Sequence, residues 1–182
     1  EQYVLSQTKS TLNILTEKEF IVKNETDMYT LTDKGQIAIT VQEMHSLVFA
    51  DVFKQTNGMK QLNAVEVIQF LSCFTNVTVI EKHKTFLSET TISDGLLDLV
   101  KQTEDLYNCY YDIETKYGIE SGCEYVLHYD MIEYIKEWCE SETEQQSRVV
   151  FFKMENEKGI FLGEFIKAVL KIVRLVNEIR NV

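Results

Sequence analysis

The sequence predicts a mainly α-helical protein, a helical bundle with one small β-hairpin close to its start. Two observations carry this. From Ile37 onward, apolar residues recur at the spacing of a buried helix face in five stretches: 37–53, 62–74, 94–117, 129–139 and 159–182. Clear strand signals are confined to Phe20–Lys23 and Met28–Leu31, on either side of the polar turn Asn24-Glu25-Thr26-Asp27.

Taken in order, Tyr3 to Leu15 reads as a short helix with Tyr3, Val4, Leu12 and Leu15 as core positions, although its serines and threonines weaken helical propensity. After the hairpin, Thr32 is suited to cap the next helix because an acid, Asp33, follows in the first turn. Helix, hairpin and capped helix, with the phrase YTLTDKG (29–35), resemble the wing end of a winged helix. Its only cations, Lys23 and Lys34, face Glu25, Asp27 and Asp33, which favours a structural wing over one that grips nucleic acid. Ile37, Val41, Met44, Leu47, Val48 and Val52 read as one helix face running to Phe53, with His45 at its boundary. Asn57-Gly58 ends that stretch, and the next helix turns Val65, Ile68, Leu71 and Cys73 or Phe74 inward.

Asn76 to Lys84 is β-branched and reads either as a short strand or as an extended linker. Ser93 caps a long helix from Asp94 to about Tyr117. Its tyrosines at 107, 110, 111 and 117 could stack on bases, but an aromatic stripe among so many acids reads better as core and helix interface. Gly118 and Gly122 bracket a turn, Tyr129 to Cys139 buries Met131, Ile132, Ile135 and Trp138, and Ser141 to Ser147 reads as a polar break. Val149 to Phe152 is a short apolar run before the final helix.

The last stretch has the sharpest pattern. Lys167, Lys171, Arg174 and Glu178 fall within about 60° of arc at about 100° per residue, and Ile160, Phe161, Leu162, Phe165, Ile166, Val169, Ile172, Val173, Val176 and Ile179 cover most of the rest. Such a helix is expected to be buried on several sides, with one row of charge showing. That row has two readings. Rigidly held cations can face an anionic backbone; alternatively Lys171 or Arg174 pairs with Glu178 on a solvated face, for about 0.2–0.5 kcal/mol.

Bulk properties narrow the function classes. The chain of 182 residues is 45% hydrophobic and 26% charged, ordinary values for a folded protein. It begins with Glu1 rather than Met and has neither a signal-like segment nor an apolar run of about 18 residues. The expectation is a piece of a longer polypeptide, intracellular, with no membrane contact. Cys73, Cys109, Cys123 and Cys139 form no C-x-x-C pair, and His45, His83 and His128 show no ligand spacing, so the cysteines read as reduced, mostly core thiols rather than a metal site. Of the net charge of −11, the whole is accounted for by residues 81–145, where 16 acids face 5 lysines; the remainder carries 13 of each sign. That acidic block suits a basic protein partner or water, and it leaves any nucleic-acid contact to a local patch. No phosphate-binding Gly-rich loop, H-E-x-x-H or G-x-S-x-G occurs, and paired acids such as Glu104-Asp105 lie on a solvated helix face. The chain is not expected to be an enzyme by itself, nor to hold a cofactor or metal.

Four phrases in fixed order then matter together: LTDKGQIAITVQEMHSLVFADVF (31–53), LNAVEVIQFLSCFTN (62–76), YDMIEYIKEWCE (129–140) and GIFLGEFIKAVLKIVRLVNEI (159–179). They resemble the C-terminal DSHCT domain of superkiller-type DExH-box RNA helicases, with LSCF and F-x-G as the most specific matches. The resemblance implies the end of a winged helix over residues 1–35 and a helical bundle over 36–182 that lacks the family's last helices. It implies a parent that is an ATP-dependent RNA helicase using ATP and Mg, commonly feeding the exosome, with this region packed on the helicase core of the same polypeptide. In the family a ratchet helix of the bundle lines the path of single-stranded RNA, and its basic positions match Lys167 and Lys171; a family acid falls on Arg174, which makes the stripe here more cationic. The competing expectation is an acidic protein-interaction module, whose partner is exosome-like or another basic protein and which never touches nucleic acid.

Overall fold

The computed structural model describes residues 2–119 and 121–182, with the side chains of Gln2 and Tyr3 outside the description. Its elements are α1 (Gln2–Glu17), β1 (Ile21–Lys23), β2 (Tyr29–Leu31), α2 (Asp33–Thr40), α3 (Ser46–Gln55), α4 (Ala64–Ser72), α5 (Asp94–Tyr117), α6 (Ile132–Cys139), α7 (Glu144–Lys158) and α8 (Leu162–Ile179). The protein is mainly helical with one small hairpin, as its sequence predicts. Two compact units form, one from residues up to Gly58 with Lys101–Val126 and Glu178–Val182, the other from Met59–Val100 and Leu127–Asn177.

In the first unit the hairpin pairs Ile21 with Leu31 and Lys23 with Tyr29 in antiparallel register. Asn24 shapes its turn by accepting from the backbone N–H groups of Thr26 and Met28, at 3.0 and 2.9 Å. Thr32 caps α2 as expected, accepting from Gly35 N–H at 3.1 Å while its hydroxyl donates to the Glu19 carbonyl at 2.7 Å. Gly35 is required there: a Cβ would lie 2.1 Å from the Phe20 carbonyl oxygen. The stretch 37–53 is not one helix. Val41 adopts an extended conformation and is buried, and α3 starts afresh with His45 as its cap. The apolar spacing survives because both helices return to one core of Val41, Val48, Phe49 and Val52. Among the described side chains of α1, Ile14 is the buried one, Leu12 and Leu15 are half-buried and Val4 is exposed, against expectation; Tyr3 lies outside the described side chains.

A polar knot ties this unit. The Tyr110 hydroxyl of α5 donates to Asp51 Oδ2 of α3 at 2.5 Å, Lys34 of α2 pairs with Asp51 Oδ1, and Lys34 also donates to the Lys18 carbonyl at 2.8 Å. Burial, then the Asp51 hydrogen bond, pushes the Tyr110 phenol far above its ordinary range. Tyr107 and Tyr110 are thus core residues, as the interface reading of the tyrosine stripe has it, whereas Tyr111 is exposed and Tyr117 half-buried.

In the second unit a complete capping box between Asn63 and Glu66 starts α4. Gln69, buried, donates to the Ile132 carbonyl of α6 at 2.9 Å, and Cys73 O accepts from His128 N–H at 2.8 Å. The core gathers Phe70, Leu71, Leu96, Leu99, Ile132, Ile135, Met154 and Ile160. No strand forms over 76–84; the segment has no regular structure apart from a 3₁₀ turn at Glu81–His83, flanked by extended Ile80 and Lys84. Buried Asp130 holds the following loop by accepting from Thr85 N–H at 2.7 Å, with Lys158 3.9 Å away. The polar break at 141–147 and the apolar run after it instead begin and build α7, with a Thr143–Gln146 capping box and left-handed Gly159 as terminator. Only Cys73 of the four cysteines is fully buried; Cys109 and Cys139 are half-buried and Cys123 is exposed, so the thiols are not mostly core. Among the described residues no helix is long and apolar enough to cross a membrane.

Candidate functional site

Helix α8 starts where Phe161 O accepts from the N–H groups of Glu164 and Phe165, at 2.9 and 3.1 Å. Glu164 in that first turn suits the positive end of the helix dipole. One face is buried by Phe165, Ala168, Ile172 and Leu175, with Phe165 held edge-on by Trp138 of α6 at 5.3 Å and Phe151 of α7 at 5.1 Å.

The helix is not covered on several sides. Ile166, Leu170 and Val173 are 48%, 55% and 48% exposed, and Phe161 and Leu162 are exposed as well. Helical periodicity shows how much of a helix is apolar, but Trp138 of α6 and Phe151 of α7 pack on the Phe165 arc and leave the Ile166–Leu170–Val173 row exposed. The described molecule therefore presents, side by side on α8, a row of cations and an uncovered apolar row. Beyond that row, Ile68, Ile135, Trp138, Val169 and Val176 line an apolar cleft of about 320 Å³.

Lys167 is exposed and Lys171 half-buried, and the two line one groove of about 360 Å³. Its other lining residues include Asn76, Val77 and Thr78 of the irregular segment after α4, and Glu164 one turn before Lys167. Among the described residues neither lysine ammonium has an ion-pair partner or hydrogen bond. Arg174 is exposed on the same stripe but does not line the groove. Glu178 Oε2 accepts from the backbone N–H groups of Gln42 and Glu43, at 3.1 and 3.4 Å. That carboxylate is thus occupied in closing the break between α2 and α3. The wall formed by residues 75–78 is invisible to helical spacing; the only hint in the sequence is the polar phrase Thr75-Asn76-Val77-Thr78 directly after the buried LSCF.

The first unit holds a larger cavity of about 680 Å³, lined mostly by apolar residues such as Phe20, Leu31, Ala38 and Val41, with His45 and Glu114 at its polar edge. His45 Nδ1 accepts from Val48 N–H at 3.4 Å and Nε2 lies 3.1 Å from the Tyr125 hydroxyl. Burial lowers the His45 pKa, against an upward pull from the Glu114 charge, so the imidazole is held neutral as a cap. Burial, followed by the Glu114 hydrogen bond, pushes the Tyr125 phenol up, leaving it a donor. Among the described residues no group of three His, Cys, Asp or Glu side chains could hold a metal ion.

The family description DSHCT (NUC185) domain matches this chain over residues 28–182. No curated protein matches it.

Proposed function

The chain belongs to the DSHCT domain family, a helicase-associated region of superkiller-type proteins, and from that premise we propose that it is the non-catalytic C-terminal accessory region of an ATP-dependent RNA helicase. In this reading residues 1–35 are the end of a winged helix, the bundle rests on the helicase core of the same intracellular polypeptide, and α8 guides single-stranded RNA as the duplex is opened. An exosome-like assembly or another basic protein is a further partner, suited to the acidic block at 81–145.

The observation that carries this is the pair Lys167 and Lys171: two ammonium groups with no ion-pair partner among the described residues, on one wall of an open polar groove. Four residues of helix separate them by about 6 Å along the axis, so each can meet a different phosphate of an extended strand. Lysine acts there as a point charge without a planar fork, which fits sequence-independent grip rather than base reading. Arg174 extends the cationic row beyond the groove. The uncovered Ile166 and Leu170 beside it give unpaired bases an apolar surface.

The sequence has no Gly-rich phosphate loop, so in this reading ATP and Mg belong to a motor elsewhere in the parent. Hydrolysis is therefore assigned to that motor. The role left to this chain is to couple strand movement to it by holding phosphates between steps.

The test is RNA-stimulated ATPase and unwinding by the parent with Lys167, Lys171 and Arg174 changed to Ala. Unwinding should collapse while ATP hydrolysis and melting temperature hold. Loss of the two groove lysines should also flatten the salt dependence of RNA binding by about 1.4 in log–log slope, at about 0.7 per phosphate on a single strand. If unwinding and salt slope both stay at wild-type values, the stripe is a solvated face and the reading fails.

A further inference from the structure

Among the described residues, Glu164 is the one carboxylate lining the lysine groove. It lies three residues before Lys167 and seven before Lys171, which puts all three charges on the same face of α8. The i,i+3 spacing would allow Glu164 to neutralise Lys167, yet among the described residues its carboxylate has no ion pair or hydrogen bond. Across the groove, Asn76 and Thr78 are exposed, and their side chains have no hydrogen bond to other described residues. The groove thus offers two cations, one anion, an amide and a hydroxyl, none of them paired with another described residue.

A carboxylate in a phosphate path works against binding unless the ligand brings a donor for it. An ionised carboxylate only accepts hydrogen bonds. An RNA backbone carries a hydroxyl donor between successive phosphates, the ribose 2′-OH, and a DNA backbone carries none. With phosphates on Lys167 and Lys171, a carboxylate on the same helix face is within reach of the sugars between them and beyond. There it gains a charge-assisted hydrogen bond from RNA and only repulsion from DNA. We propose that Glu164 makes this groove selective for ribose over deoxyribose by accepting a hydrogen bond from a backbone 2′-hydroxyl, with Asn76 and Thr78 completing the sugar-facing wall. This rests on the reading that the groove holds a nucleic-acid strand.

The experiment measures equilibrium binding of single-stranded RNA and of DNA with the same base order to the parent protein, as wild type, Glu164→Gln, Glu164→Ala and Lys167→Ala/Lys171→Ala. Each Glu164 variant should lower the RNA-to-DNA affinity ratio by about tenfold, the order expected of one charge-assisted hydrogen bond, partly by tightening DNA. A strand with a single run of 2′-deoxy sugars should lose affinity for wild type and not for Glu164→Gln. An unchanged ratio in both Glu164 variants, with RNA and DNA both weakened in the lysine variant, overturns the role of Glu164 and leaves the groove reading intact. If the lysine variant binds both strands as tightly as wild type, the groove reading itself falls. If Glu164 serves only the helix dipole, Glu164→Gln lowers melting temperature and leaves the ratio alone, which also overturns the proposal.

Discussion

Changing Asp51 to Ala should be among the most damaging single substitutions in the first unit. Its carboxylate serves two clients at once, the Tyr110 hydroxyl at 2.5 Å and the Lys34 ammonium, and both ion-pair side chains are only 14% exposed. Tyr110 is itself 1% exposed, so without Asp51 its hydroxyl is a buried donor lacking its acceptor, which costs about 1–3 kcal/mol. Lys34 keeps its bond to the Lys18 carbonyl and its place 4.1 Å above the Phe20 ring but loses its counter-charge. Removing one member of a buried pair costs about 3–5 kcal/mol in all. That is a large share of the roughly 5–15 kcal/mol that holds a folded protein together. Tyr110→Phe, which removes only the donor to a charged acceptor, should cost about 1.5–3 kcal/mol. Lys34→Met keeps the stem packed on Phe20, and Lys34→Met with Asp51→Leu should cost less than the two single changes added, by about 1–3 kcal/mol. Urea unfolding followed by near-ultraviolet circular dichroism suits the tyrosine-rich first unit, while emission from Trp138, the single tryptophan, tracks the second. A cost below about 1 kcal/mol for Asp51→Ala, or strict additivity in the double variant, would refute the argument that these groups act as one buried network.

Two further outcomes follow from the same unit. Because burial holds the His45 pKa below its ordinary value, the unfolded chain takes up that proton first; stability is full above the ordinary pKa and falls as pH drops through it toward the folded value. Melting temperature should therefore decline between about pH 7.5 and pH 5.5, and His45→Asn, a cap that does not titrate, should remove part of that slope; parallel wild-type and variant curves would count against it. Gly35→Ala would gain about 1 kcal/mol on helix propensity alone, yet its Cβ meets the Phe20 carbonyl at 2.1 Å, a group already tied to Thr32 N–H at 3.0 Å. A net loss of about 1–3 kcal/mol in urea unfolding is expected, and a stabilised variant would show that the hairpin can yield.

The places where sequence and structure part company turn on what apolar spacing can and cannot record. Residues 37–53 keep helical spacing although the chain breaks at Val41, because both arms return apolar side chains to one core; spacing cannot tell a straight helix from two that meet there. Helix α7 escapes notice for the opposite reason. Its apolar run turns Val150 and Met154 inward but leaves Val149 and Phe152 exposed, so the period is faint, even though its Thr143–Gln146 capping box and Gly159 terminator are written in the sequence. The tyrosine helix α5, with its Ser93 cap and its bounds at Asp94 and Tyr117, was fully legible: long, capped and strongly periodic.

Local chemistry in the sequence was enough to determine the mainly helical fold, the hairpin, the Thr32 and Ser93 caps, the cationic stripe of α8 and, through the order of its phrases, the family. Those depend on neighbours a few residues apart, which a linear chain displays directly. Tertiary structure alone decided that Glu178 is spent on Gln42 and Glu43, that Lys167 and Lys171 share a groove with Asn76–Thr78 while Arg174 does not, and that Ile166, Leu170 and Val173 stay uncovered. Each of these depends on what arrives from elsewhere in the chain to accept a hydrogen bond, wall a groove or cover an apolar arc. A periodic pattern records only the capacity of a helix face to be covered.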